Sequence, residues 1–280
     1  MRTQNQAVQQ PGTSTRSILL RNALVLCLIA LTMVALEGCG NGRPRFPFAN
    51  AGTLSGNWQI ALTPHTSTTS QMFTGFMIQS GSTVNGSLIL GFGCQGVGPV
   101  SGSVNGPNLT LTINEFGQDI SLTGASDGNG NLTGSYSALA GGCNSNSSTG
   151  SFNAIQITPI SGSFHGTFSG QTNGPQTVSG TLTQGTNVGG STATLTGSLN
   201  ATSSGLCPYL TNASLRGVIS GTSINLNIYG PSGTLIGQIP STVAPATITA
   251  DASAMSGGYV FTPQSSNCSG DLGLFQITFP

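Results

Sequence analysis

The sequence predicts an all-β protein made of two tandem antiparallel meander domains, each with about eight strands that close as a barrel or pack as a sandwich. Three observations lead to this fold class. Apolar residues recur at every second position in short runs, the second half of the chain repeats the first, and Gly-rich turn sequences separate the runs. Helical spacing is hard to find after Cys39, so no helices are expected between the strands.

The N-terminal segment has the layout of an export signal. Arg16 and Arg21 precede an uncharged run of 14 residues at 23–36. A membrane-spanning helix needs about 20 apolar residues, so this run is too short to remain as an anchor and fits the core of a signal peptide. Residues 1–38 are therefore predicted to be removed and to take no part in the mature fold.

The apolar run ends in Leu36-Glu37-Gly38-Cys39, which resembles the lipobox of bacterial lipoproteins. The resemblance implies that Cys39 becomes the first mature residue and carries a lipid anchor of diacylglycerol and palmitate. Glu37 departs from the small residue usual at that place, and simple secretory cleavage is the alternative. Gly40 stands where an Asp retains many lipoproteins at the inner membrane, so the resemblance implies anchoring at the outer membrane, facing the periplasm or the surface. Residues 39–50 then form a linker.

The predicted mature chain carries very little charge. From Cys39 onward it has three Arg, no Lys and five acidic residues, which gives a net charge of about −2. So few cations cannot neutralise phosphates, which argues against nucleic-acid binding. Solubility must come from the many Ser, Thr, Asn and Gln side chains.

The first half contains eight alternating runs, the number of strands that closes a small barrel. Turn sequences such as Asn105-Gly106 and Ser220-Gly221 end the runs in both halves. The predicted strands of the first half are residues 56–62, 72–79, 83–90, 97–104, 108–114, 119–124, 131–138 and 151–158.

The second half repeats the order and the chemistry of the first. The segment LSGNWQIAL from Leu54 matches ISGSFHGTF from Ile160, so Trp58 corresponds to Phe164. Each half then contains a Cys, an alternating strand, a Gly-rich step before a Tyr, a second Cys and a closing strand. We therefore predict an internal duplication, with β-domains at 51–158 and 159–280.

The cysteines fit this duplication. Four cysteines allow three pairings, but only Cys94 with Cys143 and Cys207 with Cys268 is the same in both halves. Export brings the chain into an oxidising compartment, where disulfides are expected. Loops of roughly 50 to 60 residues closed in this way stabilise each half by at most about 4 kcal/mol in the chain-entropy model.

Ionisable side chains that could form an active site are scarce. His65 lies in a turn-rich loop, and His165 corresponds to Gln59 of the first half. Glu115 and Asp119 flank one hairpin turn, where two solvated acids are expected rather than the acid and base of a glycosidase. We therefore predict that no residue is catalytic and that the protein is not an enzyme.

Metal and cofactor sites are not predicted either. The segment Asp127-Gly128-Asn129-Gly130-Asn131 has oxygen ligands at alternate places, as a calcium loop does, but lacks the bidentate Glu that follows in such loops. A tight hairpin is the expected structure. The cysteine spacings do not resemble those of paired metal ligands.

The sequence Gly56-Asn57-Trp58 at the start of the first strand resembles the Gly-x-Trp opening of lipocalin and avidin barrels. The resemblance implies an up-and-down barrel with a Trp at one end and a ligand cavity inside. The alternative is that the same residues only fill the core. The expected lining residues are Trp58, Ile60, Phe76, Leu88, Leu109, Leu111 and Tyr136.

These observations favour a non-catalytic lipoprotein of the cell envelope with a binding or structural role. Its strand faces of Thr, Ser and Asn suit contact with polysaccharide or with an envelope protein. The alternative is a carrier that holds a small ligand inside the barrel. The two differ in cavity volume, because a ligand site needs about 300 Å³ or more.

Overall fold

The computed structural model describes most of the chain that follows residue 52. Regular structure there consists of 17 β-strands. In this part of the chain no helix is long and apolar enough to cross a membrane. The described residues are 53–90, 96–142, 146–171, 175–187, 190–201, 210–242, 244–262 and 271–280.

The first eight strands form a closed antiparallel barrel, because each strand pairs with the next and β8 returns to pair with β1. Each predicted run overlaps one observed strand, with limits that differ by three residues at most. The strands are β1 (Gly56–Pro64), β2 (Gln71–Ser80), β3 (Thr83–Leu90), β4 (Gly96–Asn105), β5 (Asn108–Glu115), β6 (Gln118–Ser126), β7 (Asn131–Ala138) and β8 (Ser148–Ile157).

The remaining strands form a second closed barrel. Its ring is complete because β9 pairs with β17 and β12 pairs with β13, while the short β15 lies beside β13 and β16. The all-β prediction is thus confirmed, and both halves are barrels rather than sandwiches. The strands are β9 (Ser161–Gly170), β10 (Pro175–Gln184), β11 (Ala193–Ala201), β12 (Ala213–Ser220), β13 (Ser223–Tyr229), β14 (Leu235–Ile239), β15 (Thr247–Ile248), β16 (Ala254–Phe261) and β17 (Leu272–Thr278).

Hydrocarbon fills the interior of the first barrel. Trp58 and Ile60 lie on either side of the half-buried Gln59 on β1 and are each 1% exposed. Burial of such large side chains stabilises the fold by roughly 1.5 to 3 kcal/mol each. Gly124 and Gly134 lie opposite each other, and a Cβ on either would come within 2.8 Å of the Phe152 ring. The two glycines therefore make room for that ring in the core.

The two barrels belong to one compact unit, Ala49–Pro280, and contact each other through the turn between β12 and β13. The Gly221 N–H donates to Asn57 Oδ1 at 2.7 Å, and Asn57 Nδ2 donates to the Gly221 carbonyl at 2.8 Å. Asn57 is only 2% exposed, so this double hydrogen bond satisfies an amide that water does not reach.

Two more polar contacts and an apolar one extend this interface. Ser220 Oγ donates to Thr74 Oγ1 at 3.0 Å, and Thr222 Oγ1 donates to Gln59 Oε1 at 2.6 Å. Phe76 of the first barrel is buried in the apolar cluster of the second. We call the polar contacts the inter-barrel clamp, formed by Asn57, Gln59 and Thr74 with Ser220, Gly221 and Thr222.

Strand direction divides the connections of each barrel between two ends. In the first barrel, the connections β1–β2, β3–β4, β5–β6 and β7–β8 lie at one end, which we call its mouth. The connections β9–β10, β11–β12, β13–β14 and β16–β17 form the corresponding mouth of the second barrel.

Candidate functional site

Six of the seven predicted lining residues lie in the packed interior of the first barrel. Each is at most 5% exposed, and all six belong to one apolar cluster. The Trp58 indole N–H donates to the Leu54 carbonyl at 2.9 Å, so its polar atom is satisfied within the core. Burial of these side chains and the internal hydrogen bond of Trp58 are what a core-filling role requires. A role in ligand binding stays a prediction. The six residues are Trp58, Ile60, Leu88, Leu109, Leu111 and Tyr136.

Phe76, the seventh, lies on the other side of the barrel wall. Phe73 and Met77 on the same strand belong to the interior of the first barrel, whereas Phe76 packs with Ile157 in the cluster of the second. Side chains an odd number of residues apart on a strand point to opposite faces, which gives the physical reason. The expectation that Phe76 lines the first barrel's cavity is therefore corrected.

A cavity of about 310 Å³ opens at the mouth of the first barrel. Its apolar floor is formed by Leu62, Ile120 and Ala138, and the Tyr136 ring forms part of its wall. The Tyr136 hydroxyl lies 2.8 Å from Ser148 Oγ. Of the predicted lining residues only Tyr136 reaches this cavity.

Sequence reasoning missed the other residues of this floor, although the repeat carries a signal for two of them. Leu62 corresponds to Phe168 in the matching segment, and Ala138 follows Tyr136 at the same distance as Phe261 follows Tyr259. In both pairs the first half has the smaller side chain. The third floor residue differs in the opposite sense, because Ile120 is equivalent to Gly237 of the second barrel.

The outer face of the first barrel carries two rows of hydroxyls that cross five neighbouring strands, β4 to β8. All ten side chains are exposed or half-buried, and none is charged. Adjacent strands are about 4.8 Å apart, so the hydroxyls repeat at that spacing along each row. One row is Ser101, Thr112, Ser121, Ser137 and Thr149, and the other is Ser103, Thr110, Thr123, Ser135 and Ser151.

An open groove of about 510 Å³ lies at one end of the second row. Ser103, Thr110 and Thr123 line it together with the amides of Asn105 and Asn108. Ser103 Oγ and Thr110 Oγ1 are 3.1 Å apart and form a hydrogen bond across the strands. Leu109 and Ala125 also line it, so the groove combines neutral donors and acceptors with apolar surface.

The two acids considered as a glycosidase pair point to opposite faces of their hairpin. Asp119 is exposed and accepts a hydrogen bond from Asn114 Nδ2 at 2.7 Å. Glu115 is only 1% exposed, and burial raises the pKa of its carboxyl. The expectation that both acids are solvated is thus wrong for Glu115, because it is in phase with the inward-facing Ile113 on β5.

Neither histidine lies among buried polar groups. His65 is exposed, and its backbone N–H donates to the Thr149 carbonyl at 3.0 Å. His165 is exposed on β9, where its Nε2 lies 3.2 Å from Thr278 Oγ1. Both positions are on the surface of the described part of the chain.

The Asp127 turn is held by its own side chains. Asp127 Oδ1 accepts from the backbone N–H of Asn129 at 2.7 Å and of Asn131 at 3.0 Å, while Asn131 Nδ2 donates to Oδ2 at 2.6 Å. These bonds, led by the one from the Asn131 side chain, lower the pKa of Asp127. The carboxylate is therefore used to close the hairpin. Within the described ranges, no group of three or more His, Cys, Asp or Glu residues could hold a metal ion.

A buried Tyr–Asp pair closes the mouth of the second barrel. The Tyr259 hydroxyl donates to Asp271 Oδ2 at 3.3 Å, and the two side chains are 0% and 2% exposed. Burial, with the nearby Asp271 carboxylate, raises the pKa of Tyr259 above its ordinary range. The equivalent pair in the first barrel is Tyr136 with Ser148.

The cysteines predicted to pair, as well as Cys39, lie outside the described residues. Cys94 falls between β3 and β4 and Cys143 between β7 and β8, two connections of the same mouth. Cys207 and Cys268 fall in two connections of the second mouth. The pairing stays a prediction.

No protein-family model, curated protein or solved structure matches this chain.

Proposed function

We propose that this chain is a non-catalytic lipoprotein of the cell envelope with a binding role, and that its partner is a neutral polysaccharide. The observation that carries the proposal is the pair of hydroxyl rows on the first barrel, the second of which ends in the groove at Ser103, Thr110 and Thr123. Hydroxyls both donate and accept hydrogen bonds, as sugar hydroxyls do. An envelope protein is the alternative partner.

The absence of charge from the two rows sets the kind of affinity we expect. A net hydrogen bond contributes about 0.5 to 1.5 kcal/mol, so many weak contacts along a chain of sugars are needed. Binding between neutral groups is not screened by salt. We therefore expect weak, repeated contacts whose strength does not change with ionic strength.

Sedimentation with an insoluble neutral polysaccharide, such as chitin, tests this binding. The double variant Thr110→Val and Thr123→Val keeps the side-chain shape and removes two hydroxyls from the groove, and we expect it to lower the bound fraction. Thr181→Val is the matched control, because Thr181 makes a similar 3.0 Å hydrogen bond to Ser198 on the second barrel. Binding that survives the double variant, or that disappears at high salt, would contradict the proposal.

The lipid anchor and the location at the outer membrane rest on the lipobox-like sequence that ends at Cys39. Mass spectrometry of the mature N-terminus tests them. We expect an acylated Cys39 as the first residue and release of the protein from the membrane fraction in Cys39→Ser. An N-terminus before residue 39, or one without acyl chains, refutes the anchor.

Two disulfides within the barrels, Cys94–Cys143 and Cys207–Cys268, are part of the proposal. The pairing is supported by the repeat and by the order of the strands, which puts both members of each pair in connections at the same mouth. Peptide mapping without reduction decides between this pairing and a bond between the barrels.

The non-catalytic part of the proposal is supported by the separation of the acids and the exposure of the histidines. Because His65 and His165 are exposed, replacing both with Ala should leave folding and polysaccharide binding unchanged. Loss of binding in a folded double variant would show that a histidine is functional.

A further inference from the structure

We infer that the mouth of the first barrel is a binding site for a small neutral molecule with a ring-sized apolar body and one hydrogen-bonding group. The cavity there measures about 310 Å³, which reaches the range of small-molecule sites. The inference does not rest on polysaccharide binding, since the mouth and the hydroxyl rows are formed by different side chains.

The two barrels can be compared residue by residue because their strand registers agree. Tyr136 on β7 lies opposite Gly150 on β8, and Tyr259 on β16 lies opposite Gly273 on β17. The two tyrosines are therefore equivalent. By the same count Ser148 is equivalent to Asp271, and each accepts or shares a hydrogen bond with its tyrosine hydroxyl.

Aromatic rings fill the mouth of the second barrel at the equivalent positions. The ring of Phe168 lies 4.7 Å from that of Tyr259 and 5.5 Å from that of Phe275, measured between centroids. The Tyr259 and Phe261 centroids are 5.1 Å apart. All four side chains are at most 3% exposed, so this mouth is a packed core.

The first barrel has smaller side chains at two of these four positions. Leu62 stands where the second barrel has Phe168, and Ala138 stands where it has Phe261. Both Leu62 and Ala138 line the cavity. The exchange is partial, because Ile120 stands where the second barrel has Gly237, and the Cβ position of Gly237 lies 2.7 Å from the Phe261 ring. The space that remains over Leu62, Ile120 and Ala138 is the cavity, and a ring from a ligand can enter it.

The chemistry of the lining defines the ligand. The floor of Leu62, Ile120 and Ala138 is hydrocarbon, which favours an apolar ring over water. Most of the remaining lining residues are polar and neutral, namely Thr66, Ser67, Gln71, Asn146, Ser147 and Ser148. Among the described residues that line the cavity, the Tyr136 hydroxyl is the single ionisable group, so the site favours a neutral ligand.

Titration of the full chain with 4-methylphenol, a ring with one hydroxyl, tests the inference. Binding is followed by the backbone amide signals in heteronuclear NMR spectra. We expect saturable shifts at Gln71, Ala138 and Ser148. Ala138→Phe places in the first barrel the ring that Phe261 places in the second, and we expect it to weaken binding at least tenfold.

The exposed neighbour Leu139 provides the matched control. Leu139 is 75% exposed, so Leu139→Phe adds a ring outside the cavity and should bind as the unmodified chain does. If Ala138→Phe does not fold, Ala138→Leu fills less of the same space and should weaken binding in the same direction. No saturable binding, shifts confined to other regions, or undiminished binding in a folded Ala138→Phe variant would overturn the inference. Sedimentation with polysaccharide should not change in Ala138→Phe, so failure here is separate from failure of the proposed function.

Discussion

The two barrels have the same strand plan but use their ends and outer faces differently. At the mouth, the second barrel packs Phe168, Tyr259 and Phe261 against one another, whereas the first has Leu62 and Ala138 in two of the equivalent places and holds a cavity. The same arrangement of strands therefore accepts a mouth filled by aromatic rings in one barrel and a mouth with a cavity in the other.

The outer faces differ in a second way, which explains how the barrels join. Asn57 and Phe76 of the first barrel contact the second, and register places Ser163 and Thr181 at the equivalent points of the second barrel. Ser163 and Thr181 are exposed. The amide and the ring therefore occur on the copy whose face is covered, while the uncovered face keeps short hydroxyl side chains.

The largest effect on the free energy of unfolding should come from exchanging mouth residues between the two barrels. Phe261→Ala removes a buried ring from the second mouth and should lower the free energy of unfolding by about 3 to 5 kcal/mol, the usual cost of a Phe→Ala change in a core. Ala138→Phe adds a ring beside Ile120, where Phe261 has Gly237 beside it, so cavity filling and crowding oppose each other and we expect a change of only about 1 kcal/mol. Urea unfolding followed by circular dichroism measures both. Equal losses in the two variants would show that the mouths are packed alike.

The inter-barrel clamp should give the next largest effect. Gly221 has a φ of +55°, and a Cβ there would meet Thr74 Cγ2 at 2.5 Å. The equivalent Gly106 has a φ of +59° and no atom within 4 Å of its Cβ position. Both Gly→Ala changes carry a backbone cost of about 1 to 2 kcal/mol, so only the contact differs.

We therefore expect Gly221→Ala, and not Gly106→Ala, to separate the barrels. Small-angle X-ray scattering should show a larger radius of gyration and limited proteolysis should cut between β8 and β9 in Gly221→Ala alone. Asn57→Ala should act in the same direction, because it leaves the Gly221 N–H and carbonyl without their partner, at a cost of about 1 to 3 kcal/mol. Identical scattering from the two glycine variants would mean that the clamp does not hold the barrels together.

The smallest effect concerns how the free energy of unfolding depends on pH. One acid in each barrel should contribute to this dependence, and the two contributions should have opposite signs. Burial raises the pKa of Glu115 above its ordinary 4.5, so its contribution to stability is full below pH 4.5 and is lost as the pH rises through the folded-state value. Hydrogen bonds from Thr249 and then Ser253 lower the pKa of Asp251 to about 2, so its contribution is present above pH 3.8 and is lost as the pH falls towards 2.

Thermal melting across this pH range tests both signs. Glu115→Gln should flatten the decline in melting temperature on the neutral side, and Asp251→Asn should flatten the decline on the acid side. If the melting temperature of Glu115→Gln still falls as the pH rises towards neutrality, a group other than Glu115 causes that fall.

The fold could be predicted largely from the sequence because period-two alternation depends only on local order. Trp58, Ile60 and Leu62 are buried as their spacing requires, and turns such as Asn105-Gly106 fall between observed strands. The repeat of the Trp58 segment around Phe164 likewise predicts a second domain of the same kind, and the second barrel is observed there.

The candidate site could be predicted only in part, because its features depend on contacts between distant strands. Alternation gives the phase of a strand but not what covers its outer face, so it does not predict that Phe76 packs against the second barrel. The burial of Glu115 is likewise not predicted, because a turn sequence does not reveal that the residue before the turn points into the barrel. The importance of Ala138 depends on Phe261, which lies on another strand of another barrel.

A crystal structure under xenon pressure tests the central contrast between the mouths most directly, because xenon enters apolar cavities and not packed cores. We predict a xenon site over Leu62, Ile120 and Ala138 at the first mouth and none among Phe168, Tyr259 and Phe261 at the second. Xenon at the second mouth, or an empty first mouth, would contradict the account.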